Sequence, residues 1–91
     1  MNNLFEWDPH KAETNLRKHG VSFEEAASAF FDPLSITIHD STHSLDESRL
    51  ITMGFSKLKR DLVVVHTDRS DKIRIISARL ATPAEKRNYE R

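Results

Sequence analysis

D-L-V-V-V-H-T-D (residues 61–68), R-S-D (69–71), K-I-R-I-I-S-A-R (72–79) and L-A-T-P-A-E-K-R-N-Y-E-R (80–91) follow one another in the last third of a 91-residue chain, and their reading decides the fold. Leu62, Val63, Val64 and Val65 form a β-branched run too short for a helix, which predicts a buried strand. Residues 72–79 predict a second strand, with Ile73, Ile75 and Ile76 apolar and Arg74 and Arg79 set among them. The polar link 68–71 is of hairpin length, so the two strands should pair antiparallel. Thr82, Pro83 and Glu85 then spell a helix start: a capping threonine, a proline suited to the first turn, and a glutamate that completes a capping box.

Working outward, Asp8-Pro9 predicts a helix that runs to about Lys18 and stops at Gly20. Its apolar content is thin, chiefly Ala12 and Leu16, so Phe5 and Trp7 are expected to anchor it. Arg17, Lys18 and His19 sit where a helix dipole favours positive charge, which accounts for them without catalysis. Ser22 and Glu25 repeat the capping box, and Phe23, Ala26, Ala27, Phe30 and Phe31 recur at helical spacing as one core stripe ended by Asp32-Pro33. Residues 34–39 alternate with period two and predict a half-buried strand, followed by a polar loop and a further strand at 47–56. The order is helix, helix, four strands, helix. This is an α+β fold of two N-terminal helices, a four-stranded antiparallel sheet and a C-terminal helix, in a single domain over residues 1–91.

Composition narrows the function. With no cysteine, neither a disulfide framework nor a thiolate zinc site is available. The N-terminus lacks a signal-peptide pattern and no apolar run is long enough for a membrane span, so a cytoplasmic protein is expected. Net charge is zero, but residues 1–56 carry 4 Lys+Arg against 9 Asp+Glu and residues 57–91 carry 10 against 5. A basic sheet-and-helix platform points to a polyanionic partner. His39, Asp40, His43 and Asp46 share a loop, but at no metal-ligand spacing, so no metal site is expected.

The shortest hairpins would set Ser56 opposite Asp61 and Thr67 opposite Lys72. Ile51, Met53, Phe55, Leu62, Val64, Ile73 and Ile75 then share the core face, with His66 near its end as a structural histidine. The opposite face receives Thr52, Gly54, Val63, Val65, Thr67, Arg74, Ile76 and Ala78. Arg79 and Arg49 fall on the core side in this register, so either they reach round the sheet edge or a bulge near Ser77-Ala78 redirects Arg79. An ion pair with Glu47 or Glu85 is the plain alternative to a role in chemistry for both.

Taken in order, F-E-W-D (5–8), K-H-G-V-S-F-E-E-A (18–26), D-P-L (32–34), H-S-L-D-E-S-R (43–49), L-V-V-V-H-T (62–67), R-I-I-S-A-R (74–79) and E-K-R-N-Y-E (85–90) resemble the BrnT toxin family of type II toxin–antitoxin systems. The resemblance implies a RelE-like fold and a ribonuclease that arrests translation. It also implies a ribbon-helix-helix antitoxin (BrnA-like) that binds operator DNA, with the pair assembled two-plus-two. Ser48 and Leu50 flank Arg49 where the family more often has glutamate and phenylalanine, so a second acid there is missing.

Metal-free RNA cleavage needs a base for the 2′-hydroxyl, charge stabilisation at the phosphate and an acid for the leaving oxygen. Arginine suits the phosphate because its fork is bidentate and permanently charged. Arg79 is the first candidate and Arg49 the second, with Arg74, Lys57, Lys59 and Arg60 tracking the RNA backbone. Glu47, Glu85, His66 and Tyr89 are the candidates for proton transfer, and Tyr89 is equally suited to stacking on a base. No cofactor is called for. The competing readings are an inactive toxin-like module that docks an antitoxin or nucleic acid, and a gyrase-directed toxin of the same fold.

Overall fold

The computed structural model describes residues 4–40 and 48–88. Helix α1 (Pro9–His19) starts where its caps dictate: the Asp8 carboxylate accepts from the His10 N–H at 2.8 Å, and Pro9 stands in the first turn. Gly20 closes it in the left-handed conformation, φ 71°. Helix α2 (Phe23–Ala29) is capped by Ser22, whose hydroxyl accepts from the Glu25 N–H at 3.0 Å. It ends sooner than the apolar spacing predicts. The Asp32 carboxylate accepts from the Leu34 and Phe55 N–H groups, and this turn takes residues 30–34 out of helical phase. Phe31 therefore leaves the stripe and stands 63% exposed.

The sheet has five strands, not four: β1 (Phe5–Glu6), β2 (Ile36–His39), β3 (Leu50–Phe55), β4 (Asp61–Arg69) and β5 (Lys72–Leu80), in the order β1-β5-β4-β3-β2. The expected antiparallel meander is β2 to β5. The addition is β1, which runs parallel to β5, with the Ile73 N–H donating to the Leu4 carbonyl at 2.8 Å. Two residues carry no periodicity, so this strand exists only through its long-range pairing. The strand expected from Leu34 begins at Ile36, after the Asp32 turn, and the one expected at 47–56 is Leu50–Phe55. Helix α3 (Pro83–Asn88) follows β5 directly.

The register corrects the faces. Phe55 lies opposite Asp61 and Thr52 opposite Val64, so Thr52 and Gly54 turn inward while Ile51, Met53 and Phe55 turn outward. The reason is room. A Cβ on Gly54 would stand 2.5 Å from the Ala29 carbonyl oxygen, so the end of α2 rests directly on that glycine. At the other hairpin Arg69 pairs with Lys72 around Ser70, which has φ 57°.

A bulge then separates the Val65–Ser77 pair from the His66–Ile75 pair, leaving Ile76 as the extra residue. Ile75 and Ala78 can thus both be buried, which strict alternation forbids. Arg79 is carried to the open face, opposite Val63. The redirection considered for Arg79 takes place, one residue before the position expected.

Helices α1 and α2 cover one face of the sheet around Phe5, Val21, Phe23, Ala26, Ala29, Leu62, Val64, Ile75 and Ala78. Two polar devices tie this layer together. Asn15, not Leu16, is the buried residue of α1: its amide donates to the Val21 and Ala78 carbonyls, each at 2.9 Å, and accepts from the Ala78 N–H at 3.1 Å. It pairs the stretch of β5 that β1 is too short to reach. Glu25, buried within α2, accepts from the Ser56 hydroxyl at 2.6 Å and from the Arg60 guanidinium. Arg60 also donates to the Gly20 carbonyl at 3.0 Å. This pairing fastens the β3–β4 turn to both helices and holds the Glu25 carboxyl below its ordinary range.

Candidate active site

The open face of the sheet is ordered in rows by the register. Arg79, Val63, Met53 and Ile36 stand in one row, and Ser77, Val65, Ile51 and Ile38 in the next. Arg74 and Thr67 form a third, and the alternation of β3 puts Arg49 in phase with it, where its carbonyl accepts from the Asp40 N–H at 2.9 Å. Helix α3 overhangs the first row. Between helix and sheet lies a groove of about 310 Å³, floored by Ile36, Ile38, Ile51, Met53 and Val63 and walled by Arg79, Glu85 and Asn88.

Arg79 and Glu85 meet as two parallel hydrogen bonds, Nη1 to Oε1 at 2.8 Å and Nη2 to Oε2 at 2.9 Å. Glu85 is fixed by the capping box the sequence predicts: Oε1 also accepts from the Thr82 N–H at 2.8 Å, while the Glu85 N–H donates to the Thr82 hydroxyl at 3.1 Å. The guanidinium and these cap bonds hold the Glu85 carboxyl at about 2, against an ordinary 4.5. Glu85 releases its proton more readily folded than unfolded. Its contribution to stability is therefore complete above the unfolded value near 4.5 and is lost as the pH falls towards 2. Thermal unfolding followed across that window should show the wild-type midpoint falling more steeply than that of Glu85→Gln. Parallel profiles would show that the pair adds no stability.

The other sequence candidates are distributed as follows. Arg74 flanks the face with a guanidinium nitrogen 3.5 Å from Glu6. Lys57 and Lys59 are exposed in the β3–β4 turn, at the end of the sheet beyond the Arg79 row. Arg60, expected to track RNA, is engaged with Glu25 instead. His66 lies on the helix-covered face, 1% exposed, with Nε2 2.7 Å from the Thr52 hydroxyl, Nδ1 3.3 Å from Asp68 and the Phe30 ring against it. Burial lowers its pKa, against the opposing effect of Asp68, and it lies on the far side of the sheet from Arg79. Glu47, Tyr89, His43 and Asp46 lie outside the described residues.

Among the described residues no three His, Asp or Glu side chains gather to hold a metal ion, and no helix is long and apolar enough to cross a membrane. The apolar groove floor was not foreseen, because the shortest-hairpin register buries Ile51 and Met53. The in-phase exposure of Ile36 and Ile38 on an edge strand was the available signal.

Residues 7–85 match the ribonuclease toxin BrnT of type II toxin–antitoxin systems. The chain belongs to the BrnT family. The crystal structure of the Brucella abortus ribonuclease toxin BrnT at 1.1 Å superposes with a TM-score of 0.62, covering 86% of this chain and 95% of that one at 24% identity. That likeness concerns the fold. No curated protein sequence matches this BrnT-family chain.

Proposed function

We propose that this BrnT-family chain is the toxin of a type II system, cleaving RNA without a metal ion and so arresting translation. A ribbon-helix-helix antitoxin of the same operon neutralises it in a two-plus-two complex that binds operator DNA. The observation that carries the reading is the Arg79–Glu85 pair at the mouth of the groove. A guanidinium already presented in bidentate geometry to one oxyanion is prepared to take another, and a phosphodiester offers the same two-oxygen edge. In the resting chain Glu85 occupies that edge. On binding, a phosphate displaces it, leaving a carboxylate beside the reacting group in the position of a general base. Arg49 and Arg74, in the third row, guide the strand across the sheet, with Lys57 and Lys59 beyond its end.

Total RNA incubated with the purified chain should be cut equally well with and without EDTA. Activity abolished by the chelator and restored by Mg²⁺ would replace this mechanism with metal-assisted hydrolysis. The apolar groove floor favours a second reading, an inactive module that only docks its partners. Intact RNA after prolonged incubation with folded chain would select it.

A further inference from the structure

A second cleft, of about 290 Å³, opens on the outer side of α2, lined by Phe5, Trp7, Glu24, Ala27, Ser28 and Phe31. Helix α2 lies on the helix-covered face, so this cleft is on the opposite side of the sheet from Arg79. Its walls are aromatic. Phe31 is the most exposed large apolar residue among those described, its ring 6.1 Å from that of Phe5, and Trp7 packs edge-on against Phe23 at 5.9 Å. Its charge is negative. Glu6, Glu25 and Glu85 each pair with an arginine, whereas among the described residues no cation pairs with Glu24, which is exposed. The dipole of α2 accounts for an acid in its first turn, but not for an uncovered aromatic wall beside it. Aromatic rings next to a carboxylate are the combination that receives a cationic side chain, through cation–π contact and a charge-assisted hydrogen bond. RNA is a poor occupant, because the one charged side chain lining the cleft is the carboxylate of Glu24, which repels phosphate.

We propose that this cleft is the surface on which the antitoxin docks, receiving an arginine or lysine that the antitoxin carries on an apolar segment. The proposal rests on the antitoxin reading given above and assigns it a place. It separates the grip on the toxin from the groove where RNA is held, so loss of the grip leaves cleavage intact.

Calorimetric titration of the operon's purified antitoxin into the full chain tests it. Phe31→Ser and Glu24→Lys should each weaken binding by at least about tenfold, as expected when an anchor contact is lost. Glu24→Gln should flatten the salt dependence of binding. Circular dichroism serves as the folding control, and RNA cleavage by each free variant should equal that of wild type. Wild-type affinity in both Phe31→Ser and Glu24→Lys overturns the proposal. So does a loss of binding confined to Ile38→Asp, which would put the antitoxin on the open face. Self-association of the free toxin that Phe31→Ser abolishes would give the cleft to a second copy and equally overturn it. Failure of the wild-type chain to bind the antitoxin at all would remove the antitoxin reading itself, and this docking surface with it.

Discussion

Arg79→Ala should cleave RNA at least about a hundredfold more slowly than the wild-type chain in single-turnover assays, the loss expected for a charged donor that acts on the transition state. The fold should survive. Arg79 stands on the open face with much of its side chain in solvent, and its ion pair with Glu85 anchors only the short α3. Arg79→Lys should recover part of the rate, since an ammonium supplies the charge but not the two parallel bonds that guanidinium makes to Glu85. Arg74→Ala provides the contrast: binding should weaken and lose part of its salt dependence, with turnover at saturating RNA close to normal. A folded Arg79→Ala that cuts at the wild-type rate would transfer the phosphate to Arg49, two rows away on the same face.

The largest stability effect is expected at Asn15. Replacing it with leucine keeps the number and branching of side-chain heavy atoms but strips the partner from the Ala78 N–H and from the Ala78 and Val21 carbonyls. Buried groups left without partners cost about 1–3 kcal/mol each, so a total near 3 kcal/mol is a conservative expectation. For a domain of this size that corresponds to a melting point lower by roughly 12–24 °C. Asn15→Asp tests the cause. It keeps the acceptor for the Ala78 N–H while pointing a carboxylate oxygen at two carbonyls, so it should melt no higher than the leucine variant at neutral pH and regain stability when acid protonates it. Thermal melts of the two variants at two pH values decide the matter, and a leucine variant as stable as wild type would show that water replaces the amide.

How much of this was legible in the sequence depends on whether the signal was local. The caps at Asp8, Ser22 and Thr82, the stop at Gly20 and the β4–β5 hairpin were readable because each is set by a few adjacent residues. Strand β1 was not, since two residues become a strand only when β5 is beside them. The faces of β3 were misassigned because hydrophobicity argued for burying Ile51 and Met53, whereas the approach of α2 required the small Gly54 inside. Of the candidate site, Arg79 with Glu85 was readable as a choice between ion pair and chemistry; the ion pair is present, and the chemistry is what the Arg79 variants test. His66, read both as a structural histidine and as a proton-transfer candidate, is buried on the helix-covered face. The pairing of Arg60 with Glu25 was not legible, because a basic turn looks alike whether it faces solvent or a buried glutamate 35 residues away.

The bulge at Ile76 bears on how relatives of this chain should be aligned. It divides β5 into two half-strands whose inward positions fall on odd numbers before it, at Ile73 and Ile75, and on an even number after it, at Ala78. A relative one residue shorter at this joint would keep the same side chains on the same faces, including the arginine. The gap in such an alignment therefore belongs at Ile76. Forcing it into the β4–β5 turn to keep the strand unbroken would match an inward residue of one protein to an outward residue of the other. Length variation at this joint would then be mistaken for loss of Arg79.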